Sequence, residues 1–234
     1  MRFFIGTSGW TYDWNIRKSI EWYRNNTHFN AIELNFSFYR FPTEKDVRTW
    51  RNFRELSWSV KMNRIVTQNL KLNEKSDKFI RDFINIFKKG GLLPDNILFQ
   101  LPPSFSADNV DRILRIGTKF EKYKPVFELR HKSFFNENIV KKFTANGITF
   151  VSTDSPLGKF YVNTSGEVYL RFHGREAWYS YSYSKKELSD AFMELNKLKP
   201  KNTYVFFNNT YMFSNANMFI SMIIKKYGNI LYYK

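Results

Sequence analysis

Short apolar runs alternate with amphipathic stretches along this chain. Runs rich in β-branched and aromatic residues, bounded by turn-forming residues, predict strands, whereas apolar residues three or four positions apart predict helices. The predicted strands are residues 2–6, 31–34, 57–62, 96–101, 125–130, 147–153, 168–173 and 203–207. The predicted helices are residues 16–29, 43–53, 74–89, 108–120, 136–145, 184–198 and 214–227.

Strands that alternate with helices indicate βαβ units and a parallel sheet. Eight such strands predict an α/β fold, a single TIM-type (β/α)₈ barrel that spans residues 1–234. Residues 156–167 lack a helical stripe, so we expect an irregular crossover after the sixth strand. The alternative is an open, doubly wound sheet.

Polar residues collect at the carboxyl ends of the predicted strands, and this favours the barrel. Glu33 and Asn35, for example, lie two positions apart after an apolar run and would share one face of a strand. A barrel brings all such strand ends into one mouth, where enzymes of this fold place their chemistry. The residues predicted to form the site are Ser8, Trp10, Glu33, Asn35, Tyr39, Lys61, Gln100, Glu128, Arg130, His131, Asp154, Arg171, His173, Arg175, Asn208 and Asn209.

Carboxylates and histidines are the candidate catalytic groups in this set, namely Glu33, Glu128, Asp154, His131 and His173. In one hypothesis they hold a divalent metal whose bound water attacks a phosphodiester. No HExxH or paired-histidine motif supports that hypothesis, and the identity of the metal is not predicted.

A second hypothesis needs no metal. Glu33 or Glu128 would act as general base or acid, and the remaining polar residues, with Lys61, Arg130 and Arg171 as cations, would bind an anionic substrate. A purely structural alternative is a layer of ion pairs that fills the barrel interior.

Composition narrows the class of protein. The chain is 43% hydrophobic and 19% aromatic, which is enough for a substantial core, and it has no cysteine, which excludes disulfides and thiolate chemistry. It has no apolar run of about 18 residues and no apolar segment long enough for a signal peptide near residue 1, so we expect a cytoplasmic protein with no membrane contact.

The formal net charge is +16. Such a charge favours a polyanionic partner, either nucleic acid or a phosphorylated substrate, although it also provides solubility. Aromatic residues near the predicted mouth, including Trp10, Tyr12, Trp14 and Tyr179, would either stack on bases or sugars or form a lid over the rim. No protein partner is predicted.

Motifs along almost the whole chain resemble those of the YecE-like family, also called domain of unknown function 72. These motifs are Gly6-Thr7-Ser8-Gly9-Trp10, Glu33-x-Asn35 with Phe38-Tyr39 and Pro42, Leu98 to Phe105, Glu128-x-Arg130-His131-x-Ser133-Phe134, Asp154-Ser155-Pro156, Tyr169-x-Arg171-x-His173-Gly174-Arg175 and Phe207-Asn208-Asn209. The resemblance implies a TIM-barrel-like fold with a polar pocket at the strand carboxyl ends, and it implies no particular reaction. Thr67-Gln68 stands where the family pattern has Thr-His, which counts against a metal.

The sequence therefore predicts an enzyme that acts on a phosphate-bearing substrate, with nucleic acid included, in the manner of a phosphodiesterase or endonuclease. One alternative is a carbohydrate or small-metabolite isomerase or hydrolase. The other is a non-catalytic module that binds nucleic acid through its charge.

Overall fold

The computed structural model describes residues 1–228 and has an α/β fold. The strands in these residues are β1 (Arg2–Thr7), β2 (Ala31–Leu34), β3 (Ser57–Lys61), β4 (Asn96–Gln100), β5 (Pro125–Glu128), β6 (Thr149–Phe150), β7 (Ser152–Ser155), β8 (Gly158–Phe160), β9 (Glu167–Phe172) and β10 (Asn202–Phe207). The α-helices are α1 (Ile20–Asn26), α2 (Glu44–Trp50), α3 (Ser76–Gly90), α4 (Val110–Lys119), α5 (Glu137–Ala145), α6 (Lys185–Lys197) and α7 (Met212–Tyr227). Residues 229–234 of the predicted domain lie outside the described residues.

The strands form two five-stranded sheets, ordered β1-β10-β9-β7-β8 and β2-β3-β4-β5-β6. Every strand pair in them is parallel except β7 with β8. One parallel bridge, between Ser8 and Glu33, links the first sheet to the second at β1 and β2. The structure thus confirms the α/β fold with parallel sheets, but the hydrogen-bonded sheets are not closed into a TIM-type barrel.

The predicted sixth strand is divided between the two sheets. Its first part, β6, pairs with β5, and its second part, β7, pairs with β9 of the other sheet. The chain then folds back as β8, antiparallel to β7, and reaches β9 without a helix. The predicted irregular crossover after the sixth strand is confirmed.

Helix starts follow the capping chemistry in the sequence. Thr43 and Ser184 cap α2 and α6, each in a capping box with an acidic residue three positions on, Asp46 and Glu187. The first helix is shorter than predicted because Ser19 caps it: its side chain accepts a hydrogen bond from the Trp22 amide, so α1 begins at Ile20 rather than at residue 16.

Apolar residues inside the sheets determine where the polar residues stand. A small buried cluster formed from both sheets consists of Phe4, Ala31, Leu98, Val126, Val151, Tyr169, Tyr204 and Phe206. Because side chains two positions apart on a strand share a face, the residues two positions after members of this cluster point the same way. These include Glu33, Gln100, Glu128 and Arg171. A separate, larger core lies between the strands and the helices.

Among residues 1–228, no helix is both long enough and apolar enough to cross a membrane.

The close approach of β1 to β2 generates a testable prediction at Gly6. A Cβ built there would lie 1.9 Å from the Ala31 carbonyl oxygen and 2.8 Å from the Tyr23 hydroxyl oxygen, and that hydroxyl donates a hydrogen bond to the same carbonyl. We expect Gly6→Ala to lower the free energy of unfolding by about 3 kcal/mol or more, measured by chemical denaturation.

Gly147→Ala is the matched control. Gly147 has a φ of +62°, and no atom lies within 4 Å of the position that a Cβ would take, so alanine there should cost only the left-handed backbone penalty of about 1–2 kcal/mol. Equal losses in the two variants would contradict the packing described for β1 and β2.

Candidate functional site

A fully buried arginine connects the two sheets. From β9, Arg171 donates from Nη2 to Glu33 Oε1 at 2.6 Å and from Nε to Glu33 Oε2 at 3.0 Å. Its Nη1 donates to Glu128 Oε2. Because Glu33 lies on β2 and Glu128 on β5, this one guanidinium holds two carboxylates of the opposite sheet.

Other donors complete the hydrogen bonding of Glu33. The Tyr169 hydroxyl donates to Glu33 Oε2 at 2.6 Å, and the Ser8 hydroxyl donates to Glu33 Oε1. An ionised carboxylate offers about four lone-pair sites, so Arg171, Tyr169 and Ser8 occupy them all. Both oxygens of Glu33 are therefore engaged in hydrogen bonds within the protein.

The carboxylate of Glu128 also accepts hydrogen bonds from several side chains. Gln100 Nε2 donates to Glu128 Oε1 at 2.7 Å, and Arg130 Nε donates to the same oxygen at 3.2 Å. Burial raises the pKa of Glu128, but Arg171 and His173 lower it by more, so its pKa lies well below the ordinary 4.5. Burial lowers the pKa of Arg171, but Glu128 and Glu33 raise it by more, so both partners of this ion pair stay charged.

His173 is fully buried beside this pair. Its Nε2 lies 3.3 Å from Glu128 Oε1, and its Nδ1 lies 3.4 Å from Asn208 Nδ2. Arg171 Nη1 lies 3.3 Å from the same Nε2, so this ring nitrogen faces both a donor and an acceptor. Burial lowers the pKa of His173, which favours the uncharged form at neutral pH.

Lys61 lies in a different environment from Arg171 and Arg130, which are both bonded to carboxylates. It ends β3, and its Nζ lies 4.2 Å from the centroid of the Phe38 ring. No ion pair joins it to a carboxylate within 4 Å in the part of the chain that the structure describes. Burial lowers the pKa of Lys61 most and Arg171 lowers it further, and although Glu128 and Glu33 oppose them the pKa falls to about 7.

A cavity of about 700 Å³ opens above Lys61. Its lining is aromatic and polar: Tyr12, Asp13, Trp14, Asn35, Tyr39, Lys61, Tyr179, Asn208, Asn209, Thr210 and Met212. Three buried polar atoms on these residues, Asn35 Oδ1, Trp14 Nε1 and Asn209 Oδ1, have no hydrogen-bond partner within residues 1–228. Buried polar atoms are normally paired, so this wall is suited to a polar ligand.

The structure brings most of the predicted site residues into the Arg171 network or the cavity wall. These are Ser8, Glu33, Asn35, Tyr39, Lys61, Gln100, Glu128, Arg130, Arg171, His173, Asn208 and Asn209.

Asp154 and Arg175 form a second cluster instead. Arg175 donates to Asp154 from Nε at 2.9 Å and from Nη2 at 2.8 Å, and the Tyr161 hydroxyl donates to Asp154 Oδ2 at 2.7 Å. Arg175 Nη1 also donates to Glu187 at 2.7 Å, which ties the cluster to the first turn of α6. These contacts give Asp154 and Arg175 an anchoring role, and neither residue lines the cavity.

His131 and Trp10 also lie outside the cavity lining. His131 Nδ1 accepts a hydrogen bond from the Ser133 amide at 3.2 Å and so caps a short 3₁₀ turn. The Trp10 ring packs edge-on against Trp50 and Trp58, with ring centroids 6.3 and 6.0 Å away.

The donor set does not fit a divalent metal. Among residues 1–228, no three Asp, Glu, His or Cys side chains converge as a metal site would require. Glu33 and Glu128 both bind the Arg171 guanidinium, and Asp13, which lines the cavity, is paired with Lys18 at 3.0 Å. The hypothesis of a divalent metal is therefore not supported by these residues.

Sequence reasoning missed two members of the network. The Tyr169 hydroxyl lies 2.6 Å from Ser59 Oγ as well as bonding Glu33. The signal was present, because Tyr169 shares a strand face with Arg171 and Ser59 shares one with Lys61. A tyrosine within an apolar run, however, looks like an ordinary core residue.

Removal of the central guanidinium should be costly and should change the response to pH. Arg171→Met leaves Glu33 buried without a cation and leaves Glu128 with Arg130 as its remaining cation, so we expect about 3–5 kcal/mol less stability, measured by denaturation. The folded-state pKa of Glu128 is depressed in the wild type, so its stabilisation is present above the unfolded-state pKa and is lost on acidification. In Arg171→Met, burial is opposed only by His173 and Arg130, so that pKa should rise and the loss of stability on acidification should shrink or reverse.

Arg24→Met is the control, because the Arg24–Glu55 pair is exposed and worth about 0–1 kcal/mol. If the stability of Arg171→Met depended on pH as that of the wild type does, Arg171 could not be the group that lowers the pKa of Glu128.

Comparison with known proteins gives the family. The model of the family described as "Protein of unknown function DUF72" matches residues 4–229. Among curated proteins, none matches this sequence.

Solved structures agree with that match. A DUF72 family protein from Thermotoga maritima MSB8, TM1631, is 28% identical, with a TM-score of 0.79 over 95% of this chain and 99% of that one. A DUF72 family protein from Enterococcus faecalis V583, EF0366, has the same fold at 20% identity, with a TM-score of 0.79 over 95% of this chain and 94% of that one. The resemblance seen in the motifs is confirmed: the chain belongs to the DUF72 family, whose function is unknown.

Proposed function

We propose that this protein is an enzyme that acts on a phosphate-bearing substrate held in the cavity above Lys61. The observation that carries the proposal is Lys61 itself, a partly buried lysine that lines the cavity and has no carboxylate partner among the described residues. In this proposal, the two sheets form the walls of a barrel-like fold. The carboxyl ends of their strands surround the cavity.

Charge balance supports an anionic ligand. Arg171 and Arg130 offset the charges of Glu33 and Glu128, to which they are bonded. Lys61 is the next cation, and burial beside Arg171 lowers its pKa to about 7. The negative charge of a bound phosphate would offset the repulsion between Lys61 and Arg171 and raise the pKa of Lys61, so phosphate binding and protonation of Lys61 would support each other.

The cavity also suits the rest of such a substrate. Its volume of about 700 Å³ is within the range of roughly 300–1,000 Å³ that is typical of small-molecule sites. The rings of Tyr12, Trp14, Tyr39 and Tyr179 in its wall can stack on a base or pack against a sugar. A nucleotide, free or at an exposed end of a nucleic acid, has both a phosphate and a ring.

Proton transfer would fall to Lys61 rather than to the glutamates. A general acid or base works best when its pKa lies near the working pH, and Lys61, which is protonated when the phosphate is bound, would act as the acid that donates a proton to the leaving group. Glu33 and Glu128 act in the proposal as fixed charges that position Arg171, because their oxygens already accept hydrogen bonds. Hydrolysis of a phosphodiester or phosphomonoester is the reaction class that these roles favour.

The aromatic wall favours a second candidate, a carbohydrate or small-metabolite isomerase or hydrolase, in which the rings bind a sugar. The net charge of +16 keeps a non-catalytic nucleic-acid-binding module as a third. Ligand binding distinguishes the three.

The phosphate-bearing ligand should bind through Lys61. We expect calorimetry at pH 7 to show that a nucleoside monophosphate binds more tightly than its nucleoside, with proton uptake as Lys61 becomes charged. Lys61→Met should weaken the binding of the monophosphate about tenfold or more, whereas Lys61→Arg should retain most of it because arginine keeps the charge.

Lys122→Met is the matched control, since Lys122 is exposed in a turn away from the cavity and its loss should leave the affinity unchanged. Equal affinities for nucleoside and monophosphate would contradict the proposal. Tight binding of long polynucleotides that depends steeply on salt and not on Lys61 would favour the non-catalytic module.

A further inference from the structure

We propose that Lys61 is a nucleophile that forms an imine with the carbonyl group of an anionic aldehyde, ketone or 2-oxo acid. This inference rests on the proposed function, because it uses the same cavity, and it adds the chemical class of the substrate: a carbonyl compound that also carries a phosphate or carboxylate.

The position of Lys61 is the first argument. Its side chain lies against the Phe38 ring, with Nζ 4.2 Å from the ring centroid, and lines the cavity. Lys119, by contrast, is held in an ion pair: its Nζ lies 2.6 Å from Oδ2 of the buried Asp77. Without such a pair, the Lys61 nitrogen faces a space in which a small substrate fits.

The Arg171 network is the second argument. An amine attacks a carbonyl carbon only in its unprotonated form, and lysines that act this way are desolvated or lie near another cation. Lys61 has both conditions, since burial and the Arg171 guanidinium lower its pKa to about 7, against the pull of Glu128 and Glu33 and with a further lowering by Arg130. The two carboxylates that oppose this effect are themselves bonded to Arg171.

The polar lining is the third argument. Asn35 Oδ1 is a buried acceptor without a partner among the described residues, and Asn208 lines the same wall. Addition to a carbonyl creates a hydroxyl group that needs an acceptor, and the anionic end of the substrate needs donors. Asn35 and Asn208, which line the cavity, each carry a side-chain amide with an acceptor oxygen and a donor nitrogen.

The chemical step is balanced without a redox partner. The amine nitrogen forms a bond to the carbonyl carbon while the carbonyl π electrons move to oxygen, which takes up a proton equivalent to the one the nitrogen releases. Loss of that hydroxyl with one further proton, as a single water molecule, gives the imine. When protonated, the imine carries the same positive charge as the ammonium group and pairs with the anionic end of the substrate.

Trapping with borohydride tests the inference. The wild-type protein is incubated at pH 7 with dihydroxyacetone phosphate or with pyruvate, and borohydride is added to reduce any imine to a stable amine. We expect the protein mass to rise by the mass of the probe less one oxygen atom, and peptide mapping to place the adduct on Lys61. Lys61 should react about tenfold or more faster than Lys122, which is exposed, because a solvated lysine amine is almost fully protonated at pH 7.

Lys61→Arg separates the inference from the proposed function. Arginine keeps the cation but cannot form the imine, so this variant should still bind a nucleoside monophosphate and should lose the adduct at position 61. Glycerol 3-phosphate, which has no carbonyl group, should slow the labelling of wild-type Lys61 by competition.

Phosphate binding in the wild type with no borohydride-dependent adduct on Lys61 would overturn the imine and leave the anion site. Adducts spread equally over Lys61 and Lys122 would also overturn it. Failure of every phosphate-bearing ligand to bind would overturn the proposed function, and failure of both dihydroxyacetone phosphate and pyruvate to form an adduct on Lys61 would overturn this inference.

Discussion

The ion pair between Arg171 and the carboxylates of Glu33 and Glu128 is the interaction on which the rest of this structure depends. A guanidinium on one sheet donates to two carboxylates on the other, and all three side chains are buried. Each buried charge costs several kcal/mol to desolvate unless hydrogen bonds surround it, and Tyr169, Ser8 and Gln100 supply them. Since the strand ladders do not close, this network is a main polar connection between the sheets at their carboxyl ends.

The walls of the cavity are held by the same network. Tyr179 occupies a left-handed conformation, with φ at +68°, that costs a non-glycine residue free energy. Its hydroxyl oxygen accepts from Arg130 Nη2 at 3.2 Å, and its amide donates to the His173 carbonyl at 2.7 Å. Strained backbone of this kind persists where surrounding contacts fix it, and here those contacts come from residues bonded to Glu128.

Sequence alone predicted the α/β fold with parallel sheets, and it predicted most of the polar residues that the Arg171 network and the cavity wall bring together; strand β9 shows why. Alternation places Tyr169, Arg171 and His173 on one face, and the same rule aligns Glu33 with Ala31 and Glu128 with Val126. This alternation rule does not predict which strand ends lie next to each other in the folded protein. Asp154 looked equivalent to Glu128 in the sequence, yet the sixth strand passes from one sheet to the other just before it, and Asp154 pairs with Arg175 instead. The lowered pKa of Lys61 could not be predicted from the sequence either, because it depends on how deeply the side chain is buried and on where the Arg171 charge lies in the fold.

We infer that burial, together with the charge of Arg171, lowers the pKa of Lys61 to about 7, so that its amine gains and loses a proton at neutral pH. The most direct test is to follow the pKa of its amine by NMR of protein with isotope-labelled lysine, with Lys61→Arg used to assign the signal. We expect the Lys61 amine to titrate with a pKa of about 7, and we expect this pKa to rise when a phosphate-bearing ligand binds. A midpoint near the ordinary lysine value of 10.5, unchanged by ligand, would contradict this inference.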